Sequence, residues 1–459
     1  MKKLNITFCS FPDFSSHAKS LYLYMNKRYK EEINLTWIVE TEEIYSNLKD
    51  NNIKVIKRGT KEFKNYIDKT DVFFTTHGNL IEYKNEKNIY IDLWHGVGVK
   101  PAGYLINNLE EDDILWTNKF RNKVDFMIVP TDFWRIIFSS IFQIEPRRIL
   151  PLGYPKFDIQ IKSNGRANLS KLLNDNVNKF KKIIYYMPTH SKREGRESET
   201  DIDYNKIFNL EDENEKDLKE LLEKNNILLC IKRHPSDVDN YKKIETNNIK
   251  NINNQMLEKH NLDVDQILNA ADIMISDYSS LAIEFLYQKK QVIFINNNLN
   301  TFIDKRGIFF NDYNFWSENN SVSTFKELKR KILENKFLVN EEKYNLWYGS
   351  LKNGGCKEIC DYLFIDNKIN PQLKKLQIRS FNTKTNNEIL EMEIQKNTLL
   401  NQIDMLENHN KEISMQNEKL NNLNYELNEE LKLIKQSNSW KLISKIRKLY
   451  YIVLRKKEK

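Results

Sequence analysis

Short apolar strands alternate with helical patterns in two separate sets along this chain, and that alternation leaves few folds open. The first set reads Leu4–Cys9, Leu35–Val39, Ile53–Ile56, Val72–Thr75, Ile89–Leu93 and Phe126–Val129, with helical patterns such as Ser16–Tyr29 between them. The second reads Ile183–Met187, Ile227–Lys232, Ile273–Ser276 and Val292–Ile295. Such β/α alternation predicts an α/β protein with parallel, doubly wound sheets. A length of 459 residues suits two such domains and an extension. The expected boundaries are 1–160 and 161–366, with Ser163–Arg166 in the interdomain region. Two α/β halves make a cleft, a common place for a ligand. No Gly-x-Gly-x-x-Gly follows the first strand, so a dinucleotide site is unsupported. The polar insert Ser191–Glu215 reads as a loop, either mobile over the cleft or simply solvated.

After about Phe364 glycine disappears, and Asn, Glu, Lys and Leu dominate. A heptad register over 383–435 places Met392, Leu399, Leu406, Ile413, Leu420, Leu427 and Ile434 at d. Its a positions are Ile389, Lys396, Ile403, Asn410, Asn417, Asn424 and Leu431. Apolar d positions with Asn at a predict a parallel, in-register homodimeric coiled coil; the alternative is a long helix folded back on its own globular part. The tail, 439–459, carries Trp440, Leu442, Ile443, Ile446, Leu449, Tyr450, Val453 and Leu454 at helical spacing. Residues 441–459 also hold eight Lys/Arg against one acid. A basic amphipathic helix with interfacial aromatics fits an anionic membrane surface, or else a partner protein.

Over the whole chain 72 basic residues oppose 64 acidic ones, and an excess of +8 points to no nucleic-acid partner. Four cysteines at this length make no disulfide framework. Cys9 and Cys230 read as small buried hydrophobes, and Cys356 and Cys360 lack a second pair for zinc. The start has no signal-peptide pattern and no run reaches a membrane span, so the expected location is cytoplasmic, at the inner face of the membrane.

Five polar clusters fall at expected strand ends. Asp92 to Gly96 brings His95, a possible general base, with Lys100 nearby to offset phosphate charge and Gly96 to admit a close backbone approach. Gly153 to Asp158 reads as a tight turn leading out of the first domain. Thr189 and His190 close the first strand of the second half, and Thr189 can donate to phosphate. Arg233 beside His234 offers charge-assisted bonds to a diphosphate, with Pro235 ending the strand. Asp277-Tyr278-Ser279-Ser280 opens a helix whose free N–H groups favour an anion, with Glu284 one turn on; the alternative is a plain serine N-cap. His, Ser, Arg and Lys in this spacing suit phosphate recognition and one proton transfer better than a metal site.

In this order the clusters resemble the CDP-glycerol glycerophosphotransferase family, the polymerases and primases of teichoic-acid synthesis. The resemblance runs from about Asn88 to Leu363. It rests on Trp94-His95-Gly96 with Lys100, Gly153–Asp158, Pro188-Thr189, Arg233-His234-Pro235, Asp277–Ser280 with Glu284, Arg306-Gly307 and Asn353–Lys357. It implies a GT-B fold of two facing Rossmann-like domains, the second holding a CDP-polyol donor. Arg233 and His234 would bind the diphosphate with Ser279 and Ser280, Glu284 would touch the ribose, and His95 would deprotonate the acceptor hydroxyl. The implied acceptor is a lipid-linked or growing envelope glycan; no cofactor or metal is implied. Two positions depart from the family pattern. Lys156 stands where Arg is common, and Thr189 precedes His190, Ser191, Lys192 and Arg193 rather than Trp-Arg. The tail's start, Ser437 to Leu442, also looks like the ends of some polysaccharide-assembly glycosyltransferases. A GT-B glycosyltransferase using a nucleotide sugar, and an inactive coiled-coil scaffold, are the competing readings.

Overall fold

The computed structural model describes residues 3–189, 203–233, 243–317, 320–334, 337, 339–349, 354–365 and 368–457. The chain divides into two compact units, residues 1–385 and 386–459. In the larger, strands β1 (Leu4–Phe8), β2 (Ile33–Val39), β3 (Val55–Lys57), β4 (Val72–Thr75), β5 (Ile89–Asp92), β6 (Phe126–Val129) and β7 (Ile149–Pro151) form one sheet. Its order is β3-β2-β1-β4-β5-β6-β7. The second sheet holds β8 (Lys182–Tyr186), β9 (Ile227–Ile231), β10 (Ile249–Asn251), β11 (Ile273–Ser276), β12 (Gln291–Ile295) and β13 (Ser321–Val322), in the order β10-β9-β8-β11-β12-β13. The registered pairs in both are parallel.

The two orders reverse at equivalent places, between β1 and β4 and between β8 and β11. At such a reversal the connections leave to opposite faces, opening a crevice at the carboxyl ends of the strands. Central strands are buried along their whole length, as in β4, β5, β6, β9 and β11. Helices cover both faces, so these strands are continuous apolar runs without polar alternation. The strands that the sequence pattern does not reveal, β7, β10 and β13, have two or three residues each.

One stretch of the expected 161–366 range packs against the first domain. The helix Cys356–Leu363 returns to the first sheet, where Cys356, Ile359, Cys360 and Leu363 share a core with Leu21, Met25, Phe126 and Leu150. The joint uses two sequence motifs. Asp158 Oδ2 accepts from the Cys356 backbone N–H at 3.0 Å, satisfying a free donor at that helix start. A Cβ on Gly354 would lie 2.3 Å from the Asp158 nitrogen, and one on Gly355, at φ +109°, 2.4 Å from the Leu152 carbonyl oxygen. The insert needs correction. Ile207, Phe208 and Leu210 are buried in the second domain's core beside Leu218 and Phe325, so its later part is neither a lid nor a solvated loop. Residues 190–202 of it lie outside the described residues. All four cysteines are free and buried.

The helix Pro371–Gln436 begins in the larger unit, and its residues from 386 on form most of the smaller unit together with the helix Asn438–Lys457. The d residues Leu399, Leu406, Ile413, Leu420, Leu427 and Ile434 are all exposed, as are Trp440, Leu442, Ile443, Ile446 and Leu449 in the tail. Among the described residues no helix is long and apolar enough to cross a membrane.

Replacing Gly355 with Ala forces a Cβ into the left-handed region and against a carbonyl oxygen. The expected loss is about 1–3 kcal/mol of unfolding free energy, read from urea denaturation followed by tryptophan fluorescence.

Candidate active site

Two neighbouring strands end in the same dipeptide. β4 leads into Thr76-His77-Gly78 and β5 into Leu93-Trp94-His95-Gly96, and the register pairs Thr75 with Asp92. The buried Asp92 carboxylate ties the two ends together. It accepts from Thr75 Oγ1 at 2.8 Å, the Gly78 N–H at 2.8 Å and the Trp94 N–H at 2.7 Å. Burial pushes this carboxyl up to about 6, against those three bonds. Held in this way, Trp94 takes φ +53°, an uncommon region for a bulky residue. The turn lays the His95 ring on His77, centroids 4.1 Å apart and planes within 5°.

His95 is exposed to solvent in the cleft. Its pKa is held below the ordinary imidazole value first by desolvation among surrounding protein, then by His77 and Lys156. A hydrogen bond to the Thr76 backbone opposes it. His77 is pushed down to about 4, chiefly by desolvation and then by Lys156. A third imidazole, His17, is fully buried against Tyr154 and also held neutral by desolvation, then by Lys156. A neutral imidazole can take up a proton, so His95 meets the first requirement for a general base.

From the second domain, the carboxyl ends of β8 and β11 bring Thr189 and Asp277 together: Asp277 Oδ1 accepts from the Thr189 N–H at 2.8 Å. Burial raises the Asp277 carboxyl to about 6, opposed by that bond and by Lys100. Ser279 is the N-cap of the short helix Ser280–Phe285, its hydroxyl accepting from the Leu281 N–H at 3.3 Å. The plain capping alternative therefore describes Ser279 in this structure. Arg233, at the end of β9, donates to the Ile207 carbonyl at 3.1 Å and lies over the Tyr186 ring. A pocket beside these groups is lined by Pro188, Thr189, Asp277, Tyr278, Asn297 and Asn298. His190 and His234 lie outside the described residues.

The two sides touch. A Cβ on Gly96 would meet Glu284 Oε1 at 2.8 Å and Ser280 Oγ at 2.9 Å; one on Gly98 would meet Ser280 Cα at 2.9 Å. Gly96 thus admits the helix start of the second domain, where the sequence suggested a ligand. Lys100 Nζ donates to Thr189 Oγ1 at 2.8 Å across the cleft. Glu284 is engaged by the first domain: its carboxylate is buried, accepts from the Val97 N–H at 3.3 Å and pairs with Lys156 Nζ at 2.5 Å. Burial raises the Glu284 carboxyl, against the pull of Lys156.

The structure thus gathers His95, Lys100, Thr189, Asp277, Ser280 and Glu284 at one cleft, with Arg233 at a neighbouring strand end. Sequence reasoning missed His77 and His17. The repeated His-Gly after two apolar strands was the available signal for the first; His17, inside an ordinary helical pattern, offered none. Among the described residues no group of three His, Cys, Asp or Glu side chains is placed to hold a metal ion.

Two Rossmann-like domains, facing each other across a cleft at their switch points and joined by a returning helix, define the GT-B class of fold. The family model for CDP-glycerol:poly(glycerophosphate) glycerophosphotransferase matches residues 1–348. The chain belongs to that family, the polyol-phosphate transferases of cell-envelope polymers. The teichoic acid glycerol-phosphate primase of Bacillus subtilis is 28% identical over 315 residues, covering 65% of this chain and 76% of the primase. A teichoic acid poly(glycerol phosphate) polymerase of Staphylococcus epidermidis is 26% identical, covering 68% of this chain but 43% of the polymerase. The solved structure of the wall teichoic acid polymerase TagF shares the fold at TM-score 0.60 and 20% identity, over 79% of this chain and 88% of that one.

A buried neutral imidazole binds fewer protons than the same ring unfolded. Below pH 6.5 the unfolded His77 takes up a proton that the folded ring refuses until about pH 4, so stability falls as pH drops through this window. His77→Phe keeps a ring against His95 and removes the titration. Urea unfolding across pH 7 to 4 is expected to show a shallower loss in this variant than in the wild type.

Proposed function

We propose that this protein transfers a polyol phosphate, glycerol phosphate first among candidates, from a CDP-activated donor to a lipid-linked or growing envelope glycan. The observation that carries this reading is the meeting of the loop that bears His95 with the facing domain, through Gly96 and Gly98 against Ser280 and through Lys100 to Thr189, which Asp277 holds. The donor's nucleotide enters the pocket beside Asn297 and Asn298, and its diphosphate lies toward Arg233 and the Ser279–Ser280 helix start. His95 takes the proton from the acceptor hydroxyl. That oxygen forms a bond to the β-phosphorus, the bond from the β-phosphorus to the bridging oxygen breaks, and CMP leaves with that oxygen. Positioning and fixed charge supply most of the rate in such a transfer.

The basic tail fits the same task, since a lipid-linked acceptor is confined to a membrane. Exposed Trp440, Leu442, Ile446 and Leu449 with Lys441, Lys445, Arg447 and Lys448 can rest on an anionic surface. The exposed d residues of the long helix suit pairing with a second copy.

CMP release from CDP-glycerol and from CDP-ribitol, each with a lipid-linked disaccharide acceptor, tests the reaction. His95→Ala should lower turnover by about 10²–10⁴-fold with little change in donor affinity. Arg233→Ala should weaken donor binding by roughly 10–100-fold, the scale of a lost charge-assisted bond. No CMP from either donor, with a nucleotide sugar consumed instead, would reject the polyol assignment. Deleting 439–459 should release the protein from anionic vesicles, and salt should weaken the intact protein's binding.

A further inference from the structure

Lys156 stands at the start of the helix Lys156–Lys162 in the first domain, yet its ammonium makes its closest contact to the second. It pairs with Glu284 at 2.5 Å, with side-chain exposures of 5% and 1%, and donates to the main-chain oxygen of His95 at 3.2 Å. Glu284 in turn accepts from the Val97 N–H, two residues past His95. One ammonium and one carboxylate therefore hold the His95–Val97 backbone from both sides. The groups that face Lys156 include His17, His77, Asp265 and the Tyr154 ring as well as Glu284. Those that face His95 include His77, His17, Lys156, Lys100 and the Thr76 backbone.

We propose that Lys156 is a positioning residue that makes closure of the two domains and the setting of the His95 ring one event. The argument rests on His95 being the base of the proposed reaction. With the domains apart, Glu284 leaves with the second domain, and the His95 loop loses both its carboxylate contact and the anchored ammonium. With them together, a buried cation stands beside the imidazole and disfavours its protonation. Closure thus fixes the His95 loop and keeps its imidazole neutral when acceptor and donor are both enclosed.

The test compares Lys156→Met, which removes the charge, with Lys156→Arg, which keeps it. Side-chain NMR of the chain's seven histidines, with His95 assigned by a His95→Gln variant, reads the imidazole directly. The His95 midpoint should rise by about half a pH unit or more in the Met variant, the scale of one cation lost from a partly solvated site, and stay near wild type in the Arg variant. The acid limb of kcat/KM should move with it. Should Lys156→Met fail to fold, Glu284→Gln carries the test. It breaks the bridge and leaves the cation, and spin labels on the two domains should then report a longer separation. An unmoved His95 midpoint in folded Lys156→Met, or an unchanged label distance in Glu284→Gln, overturns the proposal. Neither readout needs substrate, so a wild-type protein that releases no CMP refutes the proposed reaction while these measurements still decide the role of Lys156.

Discussion

A single buried carboxylate, Asp92, organises the cleft face of the first domain. Its bonds to Thr75, Gly78 and Trp94 use two strand ends and a turn that takes φ +53° at a tryptophan. A buried anion without partners is costly, and here three donors satisfy it. The consequence runs outward: with the Trp94 turn fixed, the His95 ring stacks on His77, and Gly96 and Gly98 come into contact with Ser280. Replacing either glycine with a larger residue would push the two domains apart at this point.

The floor of the cleft between the domains is polar as well as buried. Besides Lys156–Glu284, Lys19 pairs with Asp263 at 3.1 Å and donates to Gln266, and Gln160 donates to Asp265 at 2.7 Å. Buried ion pairs of this kind contribute little net stability, because the desolvation of each charge offsets their attraction. They do specify geometry, and a polar interface can separate and be rehydrated at lower cost than an apolar one. That balance suits a cleft that must admit a large charged donor and then exclude water around it.

The architecture beyond the cleft divides by physical type. The first 385 residues bury three apolar clusters. The helices from Pro371 onward present leucines and isoleucines at heptad spacing on an exposed surface. The pairing of this stripe with another helix and the seating of the basic tail on an anionic surface belong to the proposed function.

Composition and periodicity determined a good deal of this protein. Long buried strands read as continuous apolar runs, and Ser16–Tyr29 is a helix between the same residues that its pattern predicts. The heptads became a continuous helix, and the ordered motifs marked the family. Strands of two or three residues such as β10 and β13 left no pattern, because so few side chains carry no period. The roles of Glu284 and Lys156, and the stacking of His77 on His95, were decided only by tertiary structure. Each depends on strand order and on how two domains meet, and residues 128 positions apart, as Lys156 and Glu284 are (284 − 156), have no local signal of their pairing. For the same reason Gly354 and Gly355 are intelligible only once the chain has returned to Asp158 and Leu152, where the backbone packing leaves no space for a Cβ.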